Sequence, residues 1–375
     1  MAKAKTDKRK SYPSIVDRRL AQIRYTMEEQ KVDAIVVTYM PNIRYLTNFS
    51  GSSAALFVLK DKVHFVTDDR YKEQIKDELY DLPNMDVHID RDPWGLICNE
   101  KTLGKKNANL GFEADRMPYA NAVDIRNRIR PVKFKPGSPR MVEKFTQPKS
   151  SEERDSIKQA VKITEDVFEK MLDYIKPGMT EREIAIELTH QCLLLGSDGE
   201  AFHPLVVSGE RGGIVHGKSS EKKIKKNEVI LLNFSAMVNG FISDLTRVFV
   251  IGKATKEQKD VYKLLYSAME KSRKEVLPGM NGKHLDSVAR NMINEKGYGE
   301  YFEHSLGHGI GLVSIEHPII TFRMDDQIIP EDTIITIEPG VYIPDKFGIR
   351  VEDIVVVTKN GGESLTNVPK KLIEV

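Results

Sequence analysis

The sequence predicts an α/β protein of two domains, and three observations support that prediction. The chain has 375 residues, which is enough for two domains that each bury a core of their own. Its amino-terminal third alternates between helix-like and strand-like patterns, as α/β domains do. Residues 135–152 are enriched in Pro, Gly and Ser, which is typical of a linker. We therefore expect domains at residues 11–148 and 149–375.

Periodicity predicts the elements of the first domain. Residues 14–30 repeat apolar side chains, beginning with Ile15, at helical spacing, and residues 33–38 read as a buried strand. Residues 54–60 and 64–67 flank a short polar turn and predict a hairpin. A further helix is expected to open at residue 69.

The second domain is predicted to contain two helix pairs, each followed by a β-rich stretch. Ser151 is expected to cap the first long helix, and Thr180 with Glu183 forms a capping box for the next. The tripeptide Pro-Gly-Met occurs at residues 177–179 and again at 278–280, each time between two helices. This echo predicts a pseudo-repeat of two helix-pair-plus-sheet halves.

Composition excludes several classes of function. The formal net charge is only +2, so we expect no binding to nucleic acid or to a membrane surface. The apolar runs are strand-sized, and none follows the basic first ten residues, so neither a transmembrane helix nor a signal peptide is expected. Cys98 and Cys192 form no CxxC pair and are interpreted as reduced core thiols of a cytoplasmic protein.

Histidine and carboxylate residues predict a metal site in the second domain. His304 and His308 lie in a glycine-rich stretch, and Asp244, Glu338 and Glu352 lie in separate strand-like segments. One histidine with several carboxylates is the donor set of a hard or borderline divalent cation. The glycines around His308 allow close approach to something bulky, such as a metal or a substrate main chain. His64, His88, His190 and His284 receive no functional interpretation.

A predicted hairpin adds Asn233 to this site. Residues 229–235 and 241–250 flank an Asn-Gly turn at 239–240. That turn pairs Asn233 with Thr246 and places Asp244 diagonally beside Asn233 on the same face. Taken alone, Asp244 is better explained by a simple strand-face ion pair with Arg247.

The segments described so far resemble the creatinase, prolidase and aminopeptidase P group of pita-bread metallopeptidases, Xaa-Pro aminopeptidase in particular. The resemblance extends over nearly the whole chain, since residues 42–52, 69–71 and 111–114 are similar to the amino-terminal domain of that group. It implies a creatinase-type α/β amino-terminal domain followed by a pseudo-symmetric α+β pita-bread catalytic domain.

The resemblance also implies roles for individual residues. Metal ligands would be Asp244, His308, Glu338 and Glu352, with Asn233 at a position where the family has aspartate. Glu338 would shuttle the proton from an attacking water to the leaving amine. Three further site residues are implied. His216 would contact the substrate and the developing oxyanion, and His304 would lie near the proline side of the scissile bond. Arg350 would orient a carboxylate ligand.

Three positions depart from the family pattern. Asn233 leaves three carboxylates where the family supplies four to two divalent ions, so one ion should bind weakly or be absent. Ser235 stands where a glycine is typical. Ile315 replaces a histidine and cannot donate a hydrogen bond, and His317 is a candidate to replace it in binding substrate if the segment is extended.

The leading hypothesis is a homodimeric, metal-dependent Xaa-Pro aminopeptidase or prolidase that hydrolyses peptides with proline at the second position. Oxygen-rich ligation favours manganese as the metal, with cobalt and zinc as alternatives. One or two ions are expected per chain. A second hypothesis is a catalytically impaired or inactive relative that binds peptides or partners. A third, metal-free hydrolysis of a small guanidino compound, is disfavoured because carboxylates clustered without a cation are costly.

Overall fold

The computed structural model describes residues 14–97, 100–104 and 106–375, and the side chains of residues 100 and 101 lie outside the description. The chain divides into two units by internal contacts. The first unit ends at Phe145 and the second begins at Thr146.

The amino-terminal unit contains a mixed sheet with helices around it. Its helices are α1 Ile15–Gln30, α2 Met40–Thr47, α3 Ile75–Glu78, α4 Pro93–Ile97, α5 Glu100–Leu103 and α6 Tyr119–Arg128. Its strands are β1 Ala34–Val37, β2 Ala54–Leu59, β3 Val63–Thr67, β4 Met85–Ile89, β5 Asn109–Phe112 and β6 Lys133–Pro136. The strand order is β4-β3-β2-β1-β5-β6, which leaves β4 at one edge.

The periodicity of the first domain is largely reproduced in the structure. Strand β1 is buried along its whole length between β2 and β5, and β2 and β3 form the predicted hairpin. Helix α1 buries Leu20, Ile23 and Met27, but Val16 rather than Ile15 completes its apolar face. The expected helix at residue 69 is only a 3₁₀ turn, Asp69–Tyr71, and α3 begins four residues after it.

The carboxyl-terminal unit contains two helix pairs and two larger sheets. Its helices are α7 Ser151–Tyr174, α8 Glu181–Leu194, α9 Lys256–Glu275 and α10 Gly282–Glu295. Its first strands are β7 Leu205–Ser208, β8 Val229–Phe234, β9 Met237–Val238, β10 Phe241–Ile242, β11 Leu245–Val250, β12 Gly307–Gly309 and β13 Glu316–Ile320. The others are β14 Ile334–Ile337, β15 Gly340–Ile343, β16 Phe347–Arg350, β17 Asp353–Thr358, β18 Gly361–Ser364 and β19 Ile373–Glu374.

The two halves of this unit repeat one arrangement. Helices α7 and α8 precede a sheet of order β19-β11-β8-β7, and α9 and α10 precede one of order β13-β12-β14-β17-β18. Each helix pair buries apolar side chains against strands of the sheets. The cap of α7 is Ser150 and not Ser151, because Ser150 accepts from the Glu153 amide and Glu153 reaches back to the Ser150 amide. The capping box of Thr180 and Glu183 is present as predicted.

The hairpin of β8 and β11 has the predicted register. Asn239 and Gly240 form the turn, and Asn233 pairs with Thr246. This register brings Asp244, which lies between β10 and β11, next to Asn233. The hairpin thus fixes one wall of the site.

None of the helices in the described residues combines the length and hydropathy that a membrane span requires. Cys192 is a buried free thiol, and burial raises its pKa to about 12. Cys98 lies outside the described residues.

Candidate metal centre and active site

A cavity of about 470 Å³ in the carboxyl-terminal unit brings most of the sequence-predicted site residues together. The predicted residues on its lining are His216, Asn233, Asp244, His304, His308, Glu338 and Arg350. Asn233, His308 and Arg350 lie on strands, and the other residues lie in loops that adjoin strands. A neighbouring cavity of about 780 Å³ shares His203, Leu205 and His216 with it.

Asn233 contacts Asp244 through its amide nitrogen. The Asn233 Nδ2 donates a hydrogen bond of 2.7 Å to Asp244 Oδ1. Burial raises the pKa of Asp244, and the neighbouring Glu338 carboxylate raises it further. Asn233 therefore stabilises the charged form of Asp244, whereas an aspartate at this position would repel it.

His308 and Glu338 form a buried pair. The Nε2 of His308 lies 3.3 Å from Glu338 Oε1, and its Nδ1 lies 3.0 Å from the carbonyl oxygen of Gly309. Burial acts to lower the pKa of His308, but the Glu338 carboxylate outweighs it and raises the pKa to about 9. The pair therefore holds a proton, which a cation binding to the Nε2 lone pair would release.

Arg350 is held on the other side of Glu338. Its Nε donates a 2.9 Å hydrogen bond to Thr246 Oγ1 and lies 3.7 Å from Glu338 Oε2. Burial acts to raise the pKa of Glu338, but His308 and Arg350 outweigh it and hold the pKa at about 2. Glu338 is thus a carboxylate fixed in charge and in orientation.

Glu352 provides the observation that tests whether a cation fits. Its side chain is buried, and neither carboxylate oxygen has a hydrogen-bonding partner among the described residues. Burial raises the pKa of Glu352 well above its usual value, and the Asp244 and Glu338 carboxylates raise it further. An unsatisfied buried carboxyl group is costly. A divalent cation shared with Asp244, Glu338 and His308 would satisfy it, so the donor set fits a metal.

The glycines around His308 are required by the packing of β12. A Cβ on Gly307 would lie 2.0 Å from the carbonyl oxygen of Thr336 on β14. A Cβ on Gly309 would lie 2.6 Å from the carbonyl oxygen of His317 on β13. These glycines therefore allow β12 to lie between its neighbouring strands, and Gly307 also lies on the lining of the cavity.

The remaining predicted residues fall into two groups. His304 Nε2 lies 2.9 Å from the hydroxyl of Tyr342, and burial lowers the pKa of His304 to about 4, so its imidazole is neutral. His216 and Ile315 are exposed on the cavity lining. The described lining does not include His317, whose Nδ1 lies 2.6 Å from Gln327 Oε1.

The placement of His317 has a physical reason. Ile315 lies in a bend, and β13 begins only at Glu316, so the alternation expected of an extended strand does not relate residues 315 and 317. The geometry does not support His317 as a replacement for the missing histidine.

Sequence reasoning missed a buried ion pair beside this bend. Lys149 Nζ lies 2.9 Å from Glu316 Oε2, and it also donates to the carbonyl oxygen of Thr146. Glu316 Oε1 accepts the amide of Leu312 at 2.6 Å. The pair holds the bend that carries Ile315, and the only sequence signal for it was a glutamate within a predicted site motif.

The fold and this donor set define a metallopeptidase, and the chain belongs to metallopeptidase family M24. The profile of that family matches residues 155–359. The profile of the creatinase/prolidase N-terminal domain matches residues 19–145. Both parts of the expected fold class are confirmed, an α/β creatinase-type domain followed by a pita-bread catalytic domain.

Individual relatives agree with this assignment. The peptidase YqhT of Bacillus subtilis is 34% identical over 355 residues, which cover 95% of this chain and 99% of YqhT. Among solved structures, an Xaa-Pro dipeptidase from Bacillus anthracis matches with a TM-score of 0.89 at 33% identity, covering 96% of this chain and all of that one. An X-Pro aminopeptidase from Thermotoga maritima matches with a TM-score of 0.86 at 34% identity, covering 95% and 99%.

Proposed function

We propose that this protein is a metal-dependent peptidase that hydrolyses the bond before a proline. Family membership supports a metallopeptidase, and the names of the similar dipeptidase and aminopeptidase support Xaa-Pro substrates. The observation that carries the proposal is Glu352, a buried carboxyl group without a partner among the described residues, beside Asp244 and Glu338. A divalent cation bound there would satisfy its carboxylate oxygens.

The proposed ligands are Asp244, His308, Glu338 and Glu352, with Asn233 as a neutral fifth position. When bound, a divalent cation supplies Lewis acidity that makes water nucleophilic near neutral pH. Because Asn233 contributes no charge, we propose one tightly bound ion and a weaker second one. Oxygen-rich ligation favours manganese over zinc or cobalt.

The chain's own residues complete the chemistry. Glu338 accepts the proton of the attacking water and passes it to the leaving amine, and Arg350 holds its second oxygen in place. His304, neutral and in contact with Tyr342, binds the substrate near its proline. His216, exposed on the lining, contacts the substrate carbonyl as negative charge develops.

The test is hydrolysis of Xaa-Pro dipeptides and Xaa-Pro-Xaa tripeptides after chelation and reloading with manganese. Activity should require the metal, and Glu338→Gln should lower kcat/KM at least about 100-fold because general acid–base catalysis is removed. His284→Ala, on the exposed face of α10, is the matched control and should behave as the parent. The ratio of the two substrate rates distinguishes a dipeptidase from an aminopeptidase.

A second candidate, a peptide-binding protein without catalysis, is favoured by two observations. Asn233 already satisfies Asp244 with a hydrogen bond, and Ile315 presents an apolar side chain to the cavity. This candidate predicts peptide binding without hydrolysis in manganese, cobalt or zinc, and that result would overturn the proposal. A homodimer and a cytoplasmic location remain predictions, which sedimentation and fractionation would test.

A further inference from the structure

A second group of metal-ligating side chains lies in the amino-terminal unit, on two adjacent strands. Strand β3 contributes His64, and the edge strand β4 contributes Asp86 and His88. The two strands are parallel, with His64 opposite Asp86 and Val66 opposite His88. Because alternate residues of a strand project from one face, Asp86 and His88 share a face of the sheet. His64 reaches the same point from the neighbouring strand.

Two of the separations between the ligand atoms are close to those around a coordinated cation. His64 Nδ1 lies 3.1 Å from His88 Nε2 and 3.6 Å from Asp86 Oδ2. All three ligand atoms lie within 4.8 Å of one another. Tetrahedral zinc with bonds of about 2.0–2.1 Å holds its ligand atoms roughly 3.3 Å apart. The two measured separations lie on either side of that value.

Hydrogen bonding does not join all three ligand atoms of this cluster. His64 Nδ1 faces two acceptors, His88 Nε2 and Asp86 Oδ2, but it can carry only one proton. At 3.6 Å, the carboxylate is too far away for a hydrogen bond with that nitrogen. The hydrogen bond between the two rings uses the proton of one nitrogen, and Lys62 pairs with Asp86 Oδ2. If a cation displaces that proton and Lys62, lone pairs from all three side chains converge on it.

The electrostatic surroundings favour the form of His64 that binds metal. Burial lowers the pKa of the His64 imidazole, and the nearby His88 lowers it further, which keeps a ring lone pair available. Lys62 Nζ lies 2.5 Å from Asp86 Oδ2 and competes for this carboxylate. Both of those side chains are nearly half exposed, so Lys62 can turn to solvent when a cation binds.

We propose that His64, Asp86 and His88 bind a zinc-class divalent cation in the amino-terminal unit, in addition to any ion in the catalytic unit. Two imidazoles and one carboxylate are a zinc ligand set that leaves a fourth position for water. The bound ion would join the edge strand β4 to β3. This proposal is independent of the proposed peptidase activity.

The test compares zinc bound per chain in the full-length protein, by elemental analysis after dialysis, for the parent and three variants. His88→Ala should bind one zinc ion fewer per chain than the parent. Asp86→Asn should lower the affinity for that ion at least 10-fold, as measured by competition with a chromophoric chelator. His284→Ala should match the parent. Xaa-Pro hydrolysis, if present in the parent, should be unchanged in all three.

A second measurement keeps the proposal falsifiable if His88→Ala does not fold. In the parent labelled with ¹⁵N-histidine, stoichiometric zinc should shift the ring nitrogens of two histidines, and Asp86→Asn should reduce that shift. Equal zinc content in the parent and a folded His88→Ala would overturn the proposal. Unshifted ring nitrogens would also overturn it and would identify a hydrogen-bonded histidine pair only.

Discussion

Replacing Asn233 with aspartate tests whether this position limits metal binding. In the parent, Asn233 Nδ2 donates to Asp244 Oδ1 at 2.7 Å. The substitution removes that donor and places a second carboxylate beside the first. Two unit charges about 4 Å apart interact by about 4 kcal/mol at an effective dielectric constant of about 20. In chelator, Asn233→Asp should therefore lower the free energy of unfolding by up to about 4 kcal/mol, less whatever protonation of the pair recovers.

Excess manganese should reverse the sign of this effect. The added charge that repels Asp244 attracts a divalent cation, so we expect the second ion to bind at least about 10-fold more tightly, which is about 1.4 kcal/mol. Urea unfolding with and without manganese measures the stability, and elemental analysis counts the ions. Peptidase rate should rise with occupancy.

The matched control is Asn239→Asp, which makes the same chemical change at the turn of the same hairpin. It should alter neither metal content nor the response of stability to manganese. If Asn233→Asp behaves as this control does, with unchanged stability in chelator and unchanged manganese content, the electrostatic reasoning is refuted.

Three further predictions concern stability, each measured by urea unfolding. Lys149→Met should lower the free energy of unfolding by about 3–5 kcal/mol, because it leaves the buried Glu316 carboxylate without its cation. Adding Glu316→Gln to this variant should recover part of that loss. Gly307→Ala should lower the free energy of unfolding by more than about 3 kcal/mol, or prevent folding, because its methyl group would lie 2.0 Å from a backbone oxygen. A mild effect would contradict that clash. Ser150→Ala should cost about 1 kcal/mol while Ser151→Ala costs little, and equal losses would refute the cap assignment.

Local sequence rules were sufficient where one turn or one helix decides the outcome. The Asn-Gly turn fixed the pairing of Asn233 with Thr246, because a two-residue turn leaves one register. The cap of α7 was misplaced by one residue although the signal was present. Glu153 stands three residues after Ser150, as a capping box requires, whereas Arg154 follows Ser151 at that spacing.

The sequence did not predict several contacts between distant segments, nor one local bend of the backbone. His64 and His88 were given no function because their proximity depends on β4 pairing with β3, which a single sequence does not specify. Tyr342 lies on a strand, and its contact with His304 arises only when the loop that carries His304 packs against β15. His317 was placed by assuming an extended chain at Ile315, where the backbone bends.

The pair of Lys149 and Glu316 has a consequence for the order of folding. It joins positions 167 residues apart, so its formation requires most of the catalytic unit to be closed into one loop. Contacts of such sequence separation form late, because the entropy of closure is lost before the contact compensates for it. The bend beside the cavity therefore reaches its final shape after the sheets have assembled. A refolding chain should regain its far-ultraviolet circular dichroism before it regains the ability to bind a peptide.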